Sequence, residues 1–177
     1  MLMRSFAPLR MTVLWFVLLS APLAQAHDPF DIWSLATLRP DALQLEVTMA
    51  KVTALRLIDP EGKLRALSFE NFSEAMRRLE RAGPTLHVLT SGRKTLVATK
   101  VAVELTEEND VVFKITFPRP PPGKLHVHAA FLKKLGEDYG GILDISDADG
   151  ADLAWDQLTF ERTELDVVIP ATKAPKP

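Results

Sequence analysis

The chain has 177 residues, 21 basic and 23 acidic side chains, a formal net charge of −2 and no cysteine. That balance argues against nucleic acid as a partner, because phosphate binding needs Lys and Arg gathered on one face. The missing thiols exclude disulfide staples, thiolate catalysis and thiolate metal sites.

Met1 to Arg10 carries Arg4 and Arg10 and no acid, Met11 to Leu19 is almost wholly apolar, and Ala24-Gln25-Ala26 supplies small residues. This is the charged, apolar, small-residue order of a secretory signal. The apolar run is short for a hydrocarbon layer of about 30 Å, so a permanent anchor is not expected. Cleavage is expected after Ala26, making His27 the first mature residue and sending the product to the periplasm or outside the cell. Trimming 26 residues leaves 151 and removes two basic residues and no acid, which moves the charge from −2 to −4. A chain of that size suits one domain that buries about 70% of its unfolded surface.

Ile32–Leu38 and Leu43–Met49 read as strands split by the turn residues Arg39-Pro40-Asp41. In the second strand Leu43, Leu45 and Val47 share one face and Gln44, Glu46 and Thr48 the other. Ala50–Ile58 fits either a short helix, through Val52, Leu55 and Ile58, or a strand, through Leu55-Arg56-Leu57. Phe72–Ala82 reads as a helix: Phe72, Ala75, Met76 and Leu79 recur at helical spacing, and Arg77, Arg78, Glu80 and Arg81 oppose them. Asn71 and Glu74 match a capping box, and Gly83-Pro84 is a stop signal.

From Thr85 onward the pattern is β. Expected strands are Leu86–Leu89, Thr95–Val97, Val101–Leu105, Val111–Phe117, Lys124–Phe131, Ile142–Ser146, Leu153–Leu158 and Leu165–Ile169. Pro118-Arg119-Pro120-Pro121-Pro122-Gly123 lacks ladder donors and reads as a stiff connection. Leu132–Gly141 reads as a loop holding about one helical turn. The expected fold is mainly β: an immunoglobulin-like antiparallel β-sandwich over residues 27–170 with one short helical insertion, then a disordered tail over 171–177.

His27 is the most informative residue for chemistry. After processing it presents an α-amino group and an imidazole together, a nitrogen pair suited to divalent copper. Pro29 has no N–H, so its backbone nitrogen cannot become a further ligand. A tight site therefore needs side chains from elsewhere, and His126 and His128 are the candidates, since period two places both on one strand face. The expected ion is copper or nickel. Against this stands the plain reading of His126 and His128 as a solvent-facing polar row; His87, between Leu86 and Val88, is expected to be an exposed strand residue. Asp147-Ala148-Asp149-Gly150 hints at a calcium loop, yet alignment on Gly150 puts Ile145 at the first ligand position, so a hairpin turn is expected. Trp33, Tyr139 and Trp155 could line a ligand site; packing in or beside the core is the expectation. No nucleophile elbow or phosphate-binding glycine loop is present.

Ala26-His27-Asp28-Pro29, Phe117-Pro118-Arg119-Pro120, Gly123-Lys124-Leu125 and Ile142-Leu143-Asp144-Ile145-Ser146-Asp147 running into Asp149-Gly150 carry a resemblance. Together they resemble the exported N-terminal β domain of membrane proteins related to HupE/UreJ, over most of residues 27–169. The membrane half associated with nickel transport is absent here, so the resemblance implies an accessory domain and no transport. The chain is also similar to CopC-like periplasmic copper-binding sandwiches, which begin at a mature N-terminal His and complete their site from a strand. It departs from them in the helix near Phe72 and in having His126-x-His128 where they have Asp-x-His.

The expected function is thus an exported, non-enzymatic binding or accessory domain, with copper or nickel at His27, His126 and His128. A membrane or periplasmic protein is the expected partner. The rival readings are a protein-interaction module without metal and, less favoured, a copper-dependent redox enzyme.

Overall fold

The computed structural model describes residues 31–64 and 66–171. The expected leader and cleavage point, His27 and residues 172–177 of the expected tail lie outside the described residues.

The described chain forms ten strands: β1 Asp31–Leu38, β2 Ala42–Ala50, β3 Val88–Ser91, β4 Lys94–Thr95, β5 Lys100–Leu105, β6 Asp110–Pro118, β7 Gly123–His128, β8 Gly140–Asp147, β9 Asp152–Thr159 and β10 Glu164–Ile169. Three α-helices, α1 Lys51–Ile58, α2 Phe72–Ala82 and α3 Ala130–Leu135, and a 3-10 turn at Gly83–Thr85 interrupt them. The single helical insertion expected is therefore one of three. The ambiguous 50–58 stretch is helical because α1 buries Thr53 and Ala54 as it leaves β2, rather than adding a strand to a ladder. No helix among the described residues is long and apolar enough to cross a membrane.

The strands make a six-stranded sheet, β5-β6-β2-β1-β8-β9, and a four-stranded sheet, β10-β7-β3-β4. Alternation sets the inner faces: β2 buries Leu43, Leu45, Val47 and Met49, and β7 buries Leu125 and Val127. These residues join one apolar core with Phe113, Ile115 and Phe117 of β6 and Val167 and Ile169 of β10. The pairing is antiparallel with one exception: β1 runs parallel to β8, Asp31 opposite Gly140 through Leu38 opposite Asp147. The wholly antiparallel expectation is corrected there. The chain can bring β8 alongside β1 in the same direction because α3 and the segment after it return it to the end where β1 begins.

Helix α2 spans the expected residues and buries Ala75 and Leu79, but its expected capping box does not form. Asn71 turns the other way: its Oδ1 accepts from Ser68 N–H at 2.8 Å, and its Nδ2 donates to Ala66 O at 2.9 Å. Asn71→Ala is expected to cost about 1 kcal/mol by removing these two loop bonds. Chemical denaturation measures it, and an unchanged midpoint would show that the loop needs neither.

Hairpin turns follow the sequence closely. Asp147 Oδ1 accepts from Asp149 N–H and Ala151 N–H, each at 2.9 Å, and Gly150 takes φ +83. A left-handed residue there favours glycine, and the aspartate is occupied in making the turn. The 147–150 stretch is a hairpin turn between β8 and β9, as expected.

Candidate functional site

Strand β7 places Lys124, His126 and His128 on the outer face of the four-stranded sheet, because Leu125 and Val127 turn into the core. The two histidines thus share a face, as period two requires. In register, His126 lies between Asp166 of β10 and Thr90 of β3, and His128 between Glu164 and Val88. His126 Nδ1 sits 3.0 Å from Asp166 Oδ1, and Lys124 Nζ 2.8 Å from Asp166 Oδ2. The Lys124 ammonium first, and His126 second, hold the Asp166 carboxyl below its usual range, so it is an anion that only accepts hydrogen bonds. Nδ1 of His126 must then carry the proton. In the neutral ring this leaves Nε2 with its lone pair free; on the same face Thr90, Gly92, Lys124, His126 and Asp166 line an open hollow of about 420 Å3.

His87 departs from expectation. It is 1% exposed rather than exposed, and neither ring nitrogen has a hydrogen-bond partner. Its ring packs on Phe131 with centroids 5.2 Å apart. Beside it Ala36, Leu43, Leu45, Leu89, Val127, Leu143 and Ile145 line a cavity of about 10 Å3. That is marginal room for one water, and the lining offers it no second polar group. Burial first, and the charge of nearby His128 second, push the His87 pKa down to about 3. It is a neutral imidazole in an apolar surround.

The tryptophans also depart from expectation. Tyr139 is buried, but Trp33 is 44% and Trp155 60% exposed. Both stand on the outer face of the six-stranded sheet, where β1 turns Asp31, Trp33, Leu35 and Thr37 outward and Ile32, Ser34, Ala36 and Leu38 inward. In register, Leu35 lies beside Asp144 and Asp144 beside Trp155, with Trp33 beside Ile142 one row away. Asp144 Oδ1 is shielded from water and meets no donor. The same face continues into an open groove of about 530 Å3, lined by Arg39, Gln44, Glu46, Lys100, Glu104 and Lys114 among others, where Lys114 bonds Glu104 at 2.7 Å.

The structure therefore brings His126 and His128 onto one face, with His27 outside the described residues. Among the described residues no three His, Asp or Glu side chains converge where they could hold a metal ion. Sequence reading missed Asp166, which the period-two pattern of β10 places outward, and Asp144, whose neighbours come from β1 and β9. No protein-family model matches the chain, and no curated protein matches it.

Proposed function

We propose that this chain is an exported, non-enzymatic binding or accessory domain, its two sheets forming an immunoglobulin-like sandwich, which holds a copper or nickel ion on the outer face of its smaller sheet. The observation that carries the reading is the His126–Asp166 hydrogen bond. A carboxylate on one ring nitrogen fixes the tautomer and orients the ring, the support that metal-binding histidines have. His126 and His128 supply two donors, and the α-amine and imidazole of His27 supply the rest.

Topology supports the reach. Asp31 lies in register with Gly140, and Gly140 with Thr159. The short 160–163 turn then leads to Glu164, which pairs with His128. The start of β1 and the His128 end of β7 are thus at one end of the molecule. Four residue steps lead from Asp31 back to His27, a span of about 13 Å when extended, against about 10 Å between packed sheets, and the His27 and His128 side chains must cover the rest of the way to the outer face. That span meets His128 before His126, which lies about 7 Å further along the strand.

The test is titration of the processed protein with Cu(II) and Ni(II). One ion should bind per chain, His27→Ala and His128→Ala should each weaken it at least tenfold, and Asp166→Asn should weaken it about 10- to 100-fold through His126. Binding should also fade as pH drops, because amine and imidazoles must lose protons to ligate. Histidine variants that bind as the parent does would dispose of the metal.

A further inference from the structure

We propose that Trp33, Trp155 and Asp144 form an anchoring site for an arginine side chain presented by a partner protein. Asp144 Oδ1 is buried with no donor beside it. A carboxylate oxygen kept from water without a donor is destabilising, and a partner that brings a donor relieves that cost on binding. The face around it selects the donor. Two half-exposed indoles flank the carboxylate, Trp155 directly across from it on β9 and Trp33 on the diagonal through Ile142. Diagonal neighbours on a sheet lie about 7–8 Å apart, within reach of aromatic side chains.

Indole faces attract cations, and an anion between two of them sets the sign of the ligand as positive. Guanidinium suits the combination better than ammonium: it is planar, stacks on aromatic rings, is more weakly hydrated and presents a donor fork to a carboxylate. The face also selects a macromolecular source. Small ligands are taken by concave sites that surround them, whereas these residues stand on an open sheet face. Trp and Tyr anchors with Arg partners are the residues that dominate protein–protein contacts. Trp155 belongs to the edge strand β9 and is 60% exposed, so its side chain has room to rotate as the guanidinium approaches Asp144.

The site is separate from the histidine face, which belongs to the other sheet, and the two tests fail independently. The experiment follows the indole N–H resonances of the tryptophans by NMR during titration of the purified protein with the blocked tripeptide Gly-Arg-Gly. Its citrulline counterpart has the same shape without the charge. The arginine peptide is expected to shift Trp33 and Trp155 saturably. The citrulline peptide, and the arginine peptide against Asp144→Asn, should bind at least about tenfold more weakly, the loss expected when one member of a charge-assisted pair is removed. Citrulline and arginine peptides acting alike would overturn the proposal in favour of plain apolar contact. Tetramethylammonium binding as tightly as the arginine peptide would overturn it in favour of a small cation, and the absence of saturable shifts would overturn it outright.

Discussion

Lowering the pH from about 6.5 to about 3 is expected to strip several kcal/mol from the stability of this protein, and His87→Leu is expected to escape that loss. The cause is the neutral imidazole shut into the core, whose pKa is pushed down to about 3. Above about 6.5 the ring is neutral whether the chain is folded or not, and the full stability is present. Between about 6.5 and about 3 the unfolded chain binds a proton that the folded chain refuses, so stability falls by up to about 1.4 kcal/mol per pH unit. Below about 3 both states carry the proton and this contribution levels off. Carboxylates such as Asp166 add their own acid loss, but equally in parent and variant, so the difference between the two pH profiles isolates His87. The variant is also expected to be at least as stable at neutral pH, since it removes two buried nitrogens that lack partners. Urea denaturation at a series of pH values measures both effects. Parallel profiles for parent and variant would mean that the imidazole is hydrated or paired.

Gly141→Ala is expected to cost at least about 3 kcal/mol, at or beyond the upper end of ordinary overpacking. A Cβ there would run into the carbonyl oxygen of Ile32 and lie 3.1 Å from its carbon. Those are backbone atoms of the paired strand, so no side chain can rotate away, and the parallel β1–β8 ladder must open. Two neighbouring changes calibrate the result. Gly140→Ala meets Leu158 O at 3.2 Å and should cost well under half as much. Gly150→Ala meets nothing but sits at φ +83, and should cost about 1 kcal/mol through backbone strain alone. Denaturation midpoints rank the three. If Gly141→Ala proves the mildest, Ile32 is not opposite Gly141 and the register of the larger sheet is different.

Period two explains both the successes and the errors in reading the strands. In β2 and β7 polar and apolar residues alternate cleanly, so Leu43, Leu45 and Val47 point in and His126 and His128 out, as expected. In β1 both alternating sets contain large apolar residues, Trp33 and Leu35 against Ile32 and Leu38, and side-chain size then favoured the wrong set for Trp33. The inward residues Ile32, Ser34, Ala36 and Leu38 face the core that Leu43 and Leu45 of β2 and Leu143 and Ile145 of β8 share. His87 points inward because the phase of its strand differs from the one Leu86 suggests. Leu86 belongs to the turn after the 3-10 segment and β3 starts at Val88, so the strand's phase comes from Leu89, which points inward and carries position 87 with it.

The amino-acid order by itself determined most of the extended stretches, their turns and the span of helix α2, because these depend on contacts a few residues apart: alternation, proline and glycine, helical spacing. It did not show that the stretch expected as a strand over Lys124–Phe131 leaves the sheet after His128 and enters helix α3 at Ala130. Only the tertiary structure decided that Asp166 fixes the His126 ring, that Asp144 stands between two outward indoles, and that His87 is sealed in the core. Each of those depends on which strands become neighbours, β10 beside β7 and β8 between β1 and β9. Such pairings join residues distant in sequence, and the energy that selects them belongs to the assembled core rather than to any local stretch of chain.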